Sequence, residues 1–87
     1  MSSISVVIPT RGRHHCLKQA IASVLAQTHA PLEIIVVDDG EGAAAAVGHM
    51  HPTIRVLDNR ERGPVAARNM GVAHATGDCI CFLDDDD

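Results

Sequence analysis

The run Asp84-Asp85-Asp86-Asp87 ends the sequence, directly after five residues with no charge among them, Cys79-Ile80-Cys81-Phe82-Leu83. A second acidic pair, Asp38-Asp39, follows the apolar run Ile34-Ile35-Val36-Val37 in the same way. Four adjacent carboxylates repel one another, each neighbouring pair by about 1 kcal/mol in bulk water and several times that in a partly desolvated cleft. Such a run is stable in water or on a cation. Hard divalent ions such as Mg²⁺ or Mn²⁺ suit carboxylate oxygen, usually one or two carboxylates per ion, with a ligand's phosphates completing the shell. The plain alternative is a solvated acidic tail.

Other chemistry is poorly supplied. Six histidines are present, but His14-His15 and His49/His51 lack an accompanying cysteine or acid at zinc spacing. Three cysteines, Cys16, Cys79 and Cys81, form no C-x-x-C pair. Cys79 and Cys81 share one face of a strand, cannot easily bridge, and are expected to be buried free thiols. A net charge of −4, with Phe82 the sole aromatic residue, argues against nucleic-acid binding. No apolar run reaches the ~18 residues of a membrane span and no secretory signal pattern is present, so a cytoplasmic location is expected, peripheral to a membrane at most.

The elements that must position the acids follow from the hydrophobic pattern. At 87 residues, 46% of them hydrophobic, the chain has material for one small domain with an Ile, Val, Leu and Ala core. Ile4–Ile8 is β-branched and stops at Pro9, which predicts a strand followed by the polar turn Thr10-Arg11-Gly12-Arg13. Leu17, Ile21, Val24 and Leu25 recur at helical spacing between His14 and Gln27. Leu32–Val37 is apolar except at Glu33, as in a strand covered on both faces of a parallel sheet. The segment from Glu41 to Met50 holds a short Ala-rich helix. Thr53–Leu57, more polar, predicts an edge strand. Pro64 opens a helix where proline costs least, with Val65, Met70, Val72 and Ala73 as its apolar positions. Gly77 is expected in the left-handed conformation that ends a helix, and Cys79–Leu83 is the last strand.

The order β-α-β-(α)-β-α-β predicts an α/β fold, a Rossmann-like three-layer α/β/α arrangement with a parallel sheet of about four strands. In such sheets ligands sit beyond the carboxyl ends of the strands, where strand order reverses. Thr10-Arg11, Asp38-Asp39-Gly40 and the final acidic run all occupy strand ends. If the first and fourth strands are neighbours, these groups converge on a metal-assisted phosphate site.

Neither G-x-x-x-x-G-K nor a G-x-G-x-x-G after the first strand is present, so neither common phosphate motif applies. What remains is a nucleotide read by an acid after the second strand, its diphosphate held by a divalent ion on a second acidic cluster. Five segments carry a resemblance at this point: Ser5-Val6-Val7-Ile8-Pro9-Thr10, Ser23-Val24-Leu25-Ala26-Gln27-Thr28, Glu33-Ile34-Ile35-Val36-Val37-Asp38-Asp39-Gly40, Gly63-Pro64-Val65-Ala66-Ala67-Arg68-Asn69-Met70-Gly71, and Phe82-Leu83-Asp84-Asp85-Asp86. In this order and spacing the chain resembles the family 2 glycosyltransferases of the GT-A fold.

The resemblance implies a nucleotide-sugar-dependent transferase acting with inversion and assisted by Mn²⁺ or Mg²⁺. Asp38 and chiefly Asp39 would bind base and ribose, Pro9, Thr10 and Arg11 would line the base pocket, and Arg68 would contact a phosphate. Asp84-Asp85-Asp86 looks like the D-x-D motif, with Asp86 the direct metal ligand, Asp84 assisting and Asp85 on the nucleotide side. A UDP-sugar donor is favoured, with GDP or dTDP as alternatives, and the acceptor is open. Where family members often carry an aromatic residue and Asn after Pro-Thr, this chain has Arg11-Gly12, which removes stacking on the base. Glu41-Gly42 replaces a common continuation after Asp39-Gly40. The resemblance further implies the donor-binding half of a longer domain, residues 1–87, cut after the D-x-D. The general base is expected beyond residue 87, the 87 residues alone are expected to be inactive, and apolar faces left uncovered are expected to drive self-association. A nucleotidyltransferase-like protein and a non-catalytic nucleotide-binding or assembly module are the rival readings.

Overall fold

The computed structural model describes residues 3–84. Seven elements follow in the order β1 (Ile4–Thr10), α1 (His14–Leu25), β2 (Glu33–Asp38), α2 (Ala43–Val47), β3 (Ile54–Asp58), α3 (Pro64–His74) and β4 (Cys79–Phe82). All strand pairs are parallel and the sheet order is β3-β2-β1-β4, so β1 and β4 are neighbours and β3 is an edge, as expected. Strand order reverses between β1 and β4.

Burial explains the layers. Val6 and Ile8 of β1 with Ile34 and Val36 of β2 face α1 and α2, meeting Leu17, Ile21, Val24 and Val47. The alternate residues Val7, Ile35 and Val37 face α3. Every residue of β2 is buried, the signature of a strand covered on both faces.

The α3 face differs from expectation. Val65 and Val72 are exposed, and the packing residue is Ala67, with Gly71 beside it and Met70 partly buried. At Gly71 an added Cβ would collide with the Val7 side chain, so the missing side chain is what lets the helix lie this close to β1. Gly77 is corrected as well. Helix α3 ends at His74 with Ala75 extended, and Gly77 is not among the left-handed glycines. Glycine is required there by space, because a Cβ would lie 2.7 Å from Ser5 Oγ and 2.9 Å from Ser5 N.

Cys79 and Cys81 are exposed rather than buried. Both lie on the α1 side of β4, in register with Ile4 and Val6, and β4 is the sheet's other edge, beyond the cover of α1. Helix α1 ends at Leu25, two residues short of expectation. Strand β3 runs from Ile54 to Asp58, the same length as the expected strand but shifted one residue along the chain. Among the described residues no helix is long and apolar enough to cross a membrane.

Candidate functional site

At the carboxyl edge, hydrogen bonds carry the ladder past the strand ends. Asp39 N–H donates to Thr10 O at 3.1 Å, and Asn59 N–H donates to Asp38 O at 2.8 Å. Thr10, Asp39 and Asn59 are therefore held side by side, each where a β-strand gives way to its loop. A cleft of about 270 Å³ opens over them, lined by Pro9 and Thr10 at the end of β1 and Arg11 just after it, Asp39 after β2, Asn59 after β3, and Asp84 after β4. Arg13 and the start of α3, through Gly63, Pro64 and Ala67, complete its wall.

Asp39 is the most constrained polar group in the cleft. Its Oδ1 accepts from Asn59 Nδ2 at 3.1 Å and from Gly63 N at 3.3 Å, while Oδ2 lies 3.9 Å from Arg11 Nε. The Arg11 side chain is largely exposed and the Asp39 side chain is almost fully buried. At that distance and exposure the pair is a loose surface contact, and the arginine stays available to a ligand. Gly63, at φ 91°, takes a backbone shape that favours glycine and brings its N–H to Asp39. The first turn of α3 adds partial positive charge to the same wall. Two arginines, a helix N-terminus and a buried carboxylate suit a ligand that is anionic at one end and a hydrogen-bond donor at the other.

Asp38 is differently employed. Its carboxylate accepts from the amides of Glu41, Gly42 and Ala43 at 3.0–3.1 Å, fixing the turn into α2. Asp38 and Arg68 are not among the residues lining the cleft; Arg68 is exposed on α3. Asp84 lines the cleft and is exposed, and Asp85 and Asp86 lie outside the described residues. Among the described residues no three His, Cys, Asp or Glu side chains gather as a ready metal cluster. Asn59 and Arg13 also line the cleft, and the sequence alone does not single them out. The signal for Asn59 is its place directly after a strand, the same rule that singled out Asp39, and it is legible once β3 ends at Asp58.

The profile of "Glycosyl transferase family 2" matches residues 5–87. The chain belongs to glycosyl transferase family 2. This family 2 chain is 40% identical over 90 residues to an uncharacterized glycosyltransferase of Rickettsia conorii, covering 99% of this chain and 15% of that one. It is 42% identical over 87 residues to the uncharacterized glycosyltransferase YwdF of Bacillus subtilis, covering 97% of this chain and 32% of that one. The family 2 chain thus spans about a third or less of these curated relatives. Among solved structures it is similar to a mannosyltransferase from Pyrobaculum calidifontis in complex with GDP-Man and Mn²⁺. That likeness has a TM-score of 0.85 at 26% identity, over 98% of this chain and 28% of that one. A glucosyl-3-phosphoglycerate synthase from Mycobacterium tuberculosis, in complex with Mn²⁺, UDP and glucosyl-3-phosphoglycerate, shares the fold. There the TM-score is 0.75 at 22% identity, over 97% of this chain and 33% of that one. The parallel four-stranded sheet with its helices is the GT-A arrangement of these neighbours.

Proposed function

We propose that the cleft binds the nucleotide diphosphate end of a nucleotide sugar, as the donor side of a glycosyltransferase working with inversion and a divalent ion. The observation carrying this reading is the convergence of Pro9, Thr10, Arg11, Asp39 and Asp84 from three strand ends into one cleft at the point where strand order reverses. Small-molecule pockets span about 300–1,000 Å³. A cleft of about 270 Å³ therefore suits the base and ribose, with the diphosphate and sugar lying along its open rim. The Pyrobaculum mannosyltransferase, similar over nearly this whole chain, is a solved complex with GDP-Man and Mn²⁺ and supports the donor class.

Each residue has a part. Asp39 accepts a hydrogen bond from the nucleotide, and Pro9 and Thr10 form the adjoining wall. Arg11 meets the diphosphate with charge-assisted hydrogen bonds. Asp84 is a carboxylate at the cleft, the donor type a hard divalent ion prefers, and with Asp86 it would hold the ion. A divalent ion held by these carboxylates would supply Lewis-acid neutralisation of the charge on the departing diphosphate. Inversion corresponds to one displacement: the acceptor hydroxyl gives its proton to a general base, and its oxygen bonds to the anomeric carbon as the carbon–oxygen bond to the diphosphate breaks and the diphosphate leaves with the bonding pair.

Calorimetric titration of UDP and GDP with Mn²⁺, and again with chelator, tests the reading. Saturable binding is expected with Mn²⁺, weakened by chelation. Asp39→Asn is expected to weaken it about ten- to a hundredfold, the cost of a charged hydrogen-bond acceptor, and Asp84→Asn to remove the Mn²⁺-dependent gain. The absence of binding to either nucleotide under both conditions overturns it.

A further inference from the structure

Asn59 is almost fully buried, yet its Oδ1 has no hydrogen-bond partner among the described residues. The reason is on the other side of the amide. Nδ2 donates to Asp39 Oδ1 at 3.1 Å and to the carbonyl of Gly63 at 3.1 Å. Both partners are acceptors, so a flipped amide would set oxygen against a carboxylate and a carbonyl. The orientation is thereby fixed. An orphaned buried acceptor costs stability, and the fold carries that cost in the residue that grips Asp39.

Other contacts from the same loop converge on Asp39 and its neighbour. Gly63 N–H donates to Asp39 Oδ1. Arg62, at the left-handed φ of 60°, lays its guanidinium over Gly40, where an added Cβ would lie 2.9 Å from Nη2. The loop from Asn59 to Gly63 is thus clamped on Asp39-Gly40. With Oδ1 occupied by two donors, Oδ2 is the Asp39 oxygen left to accept from a ligand, opposed among the described residues only by Arg11 Nε at 3.9 Å.

We propose that Asn59 is a positioning residue for nucleotide recognition: it holds Asp39 Oδ1 so that Oδ2 presents one acceptor, in one direction, to a hydrogen-bond donor on the nucleotide. This rests on the donor-binding reading above. Asn59 acts through Asp39, so its effect disappears when Asp39 can no longer serve.

The test is a double-mutant cycle with Asn59→Ala and Asp39→Asn on the 87-residue chain, titrated with UDP and GDP in the presence of Mn²⁺. Thermal unfolding is followed in parallel. Asn59→Ala is expected to weaken the preferred nucleotide about tenfold or more, at a temperature where the variant is fully folded. In the Asp39→Asn background the same change is expected to weaken it less than about threefold, a coupling that general loosening of the fold would not produce. In the unliganded protein, Asn59→Ala and Asp39→Asn should each shift the Gly63 amide resonance: the first removes the donor to the Gly63 carbonyl and frees Asp39 Oδ1 to move, the second replaces the carboxylate that the Gly63 N–H donates to with a neutral amide. If Asn59→Ala does not fold, Asn59→Asp, which keeps the shape and removes the donors, takes its place with the same expectation. Additive losses, or affinity within about twofold of the unmodified chain, overturn the positioning role while leaving the donor-binding reading intact. An unmodified chain that binds neither nucleotide overturns both.

Discussion

Glu33 is a charged side chain at the start of an apolar strand, buried, and at the opposite end of the sheet from the cleft. Burial alone would raise its pKa. Four hydrogen bonds outweigh that: Thr76 N–H and Ser5 Oγ donate to Oε2 at 2.7 Å, Arg55 Nη1 to Oε1 at 3.0 Å, and Thr76 Oγ1 to Oε2 at 3.0 Å. The net effect lowers the carboxyl from 4.5 to about 2. A folded pKa below the unfolded one means that folding favours the ionised form. The contribution is complete above pH 4.5 and is lost as pH falls from there toward 2. Glu33→Gln is therefore expected to cost on the order of 3 kcal/mol at neutral pH and to flatten the acid limb of stability. Urea unfolding of both proteins at pH 7 and pH 3 checks this, and an equal loss at both values refutes it. Nothing in the hydrophobic pattern marks Glu33, because its partners come from β1, β3 and the segment after α3 and are joined only by the fold. Asp39 and Asp84, by contrast, could be read as cleft residues, since strand ends in a parallel sheet are where ligands sit. Asn59 obeys the same rule but was hidden by a strand read as ending one residue early. Once β3 runs through Asp58, in register with Asp38, Asn59 falls level with Asp39.

At the scale of elements, α3 shows most clearly what a pattern of apolar residues leaves out. Its larger apolar residues, Val65 and Val72, face solvent, while Ala67 and Gly71 make the approach to β1 and β2. Periodicity weights residues by size and greasiness. Close helix-to-sheet packing here selects for smallness, which no hydrophobic count registers. Gly71→Ala would normally favour a helix, by about 1 kcal/mol. Here the new methyl meets Val7, so the expectation is a net destabilisation of about 1–3 kcal/mol as the helix is pushed off the sheet. Pairing it with Val7→Ala should recover part of the loss. Thermal melts of the two single variants and the double variant decide it, and a stabilised Gly71→Ala protein would show that the helix stands further from the sheet. Because Gly63 at the head of α3 also binds Asp39, displacement of this helix reaches the cleft.

For the molecule as a whole, the exposed side chains of β4 are the main departure from a closed α/β domain. Among the described residues strand β4 pairs only with β1, leaving Cys79, Cys81 and Phe82 exposed along its other edge. Unpaired apolar edges pair with other chains. The 87-residue chain is accordingly expected to associate with itself at micromolar concentration or above, and Phe82→Lys to return it to monomer in sedimentation velocity runs under reducing conditions. A monomer across that range, or association unchanged by Phe82→Lys, would show that the edge is not adhesive. The overall layout was legible because uninterrupted apolar runs, helical spacing and the order of elements all point to one parallel sheet. Exposure along β4 was not, since a short apolar run reads the same at an edge as at the centre.

The Glu33 network carries a consequence for the order of assembly. Its partners Arg55, Ser5 and Thr76 stand 22, 28 and 43 residues away along the chain. Loops of such length are closed late, after the local turns and helices have formed. No single β-α-β unit can complete the set, because the donors arrive on both sides of β2 and from beyond α3. The carboxylate is a latch set only when the whole sheet has been threaded, and a chain caught part-way leaves that charge without its donors.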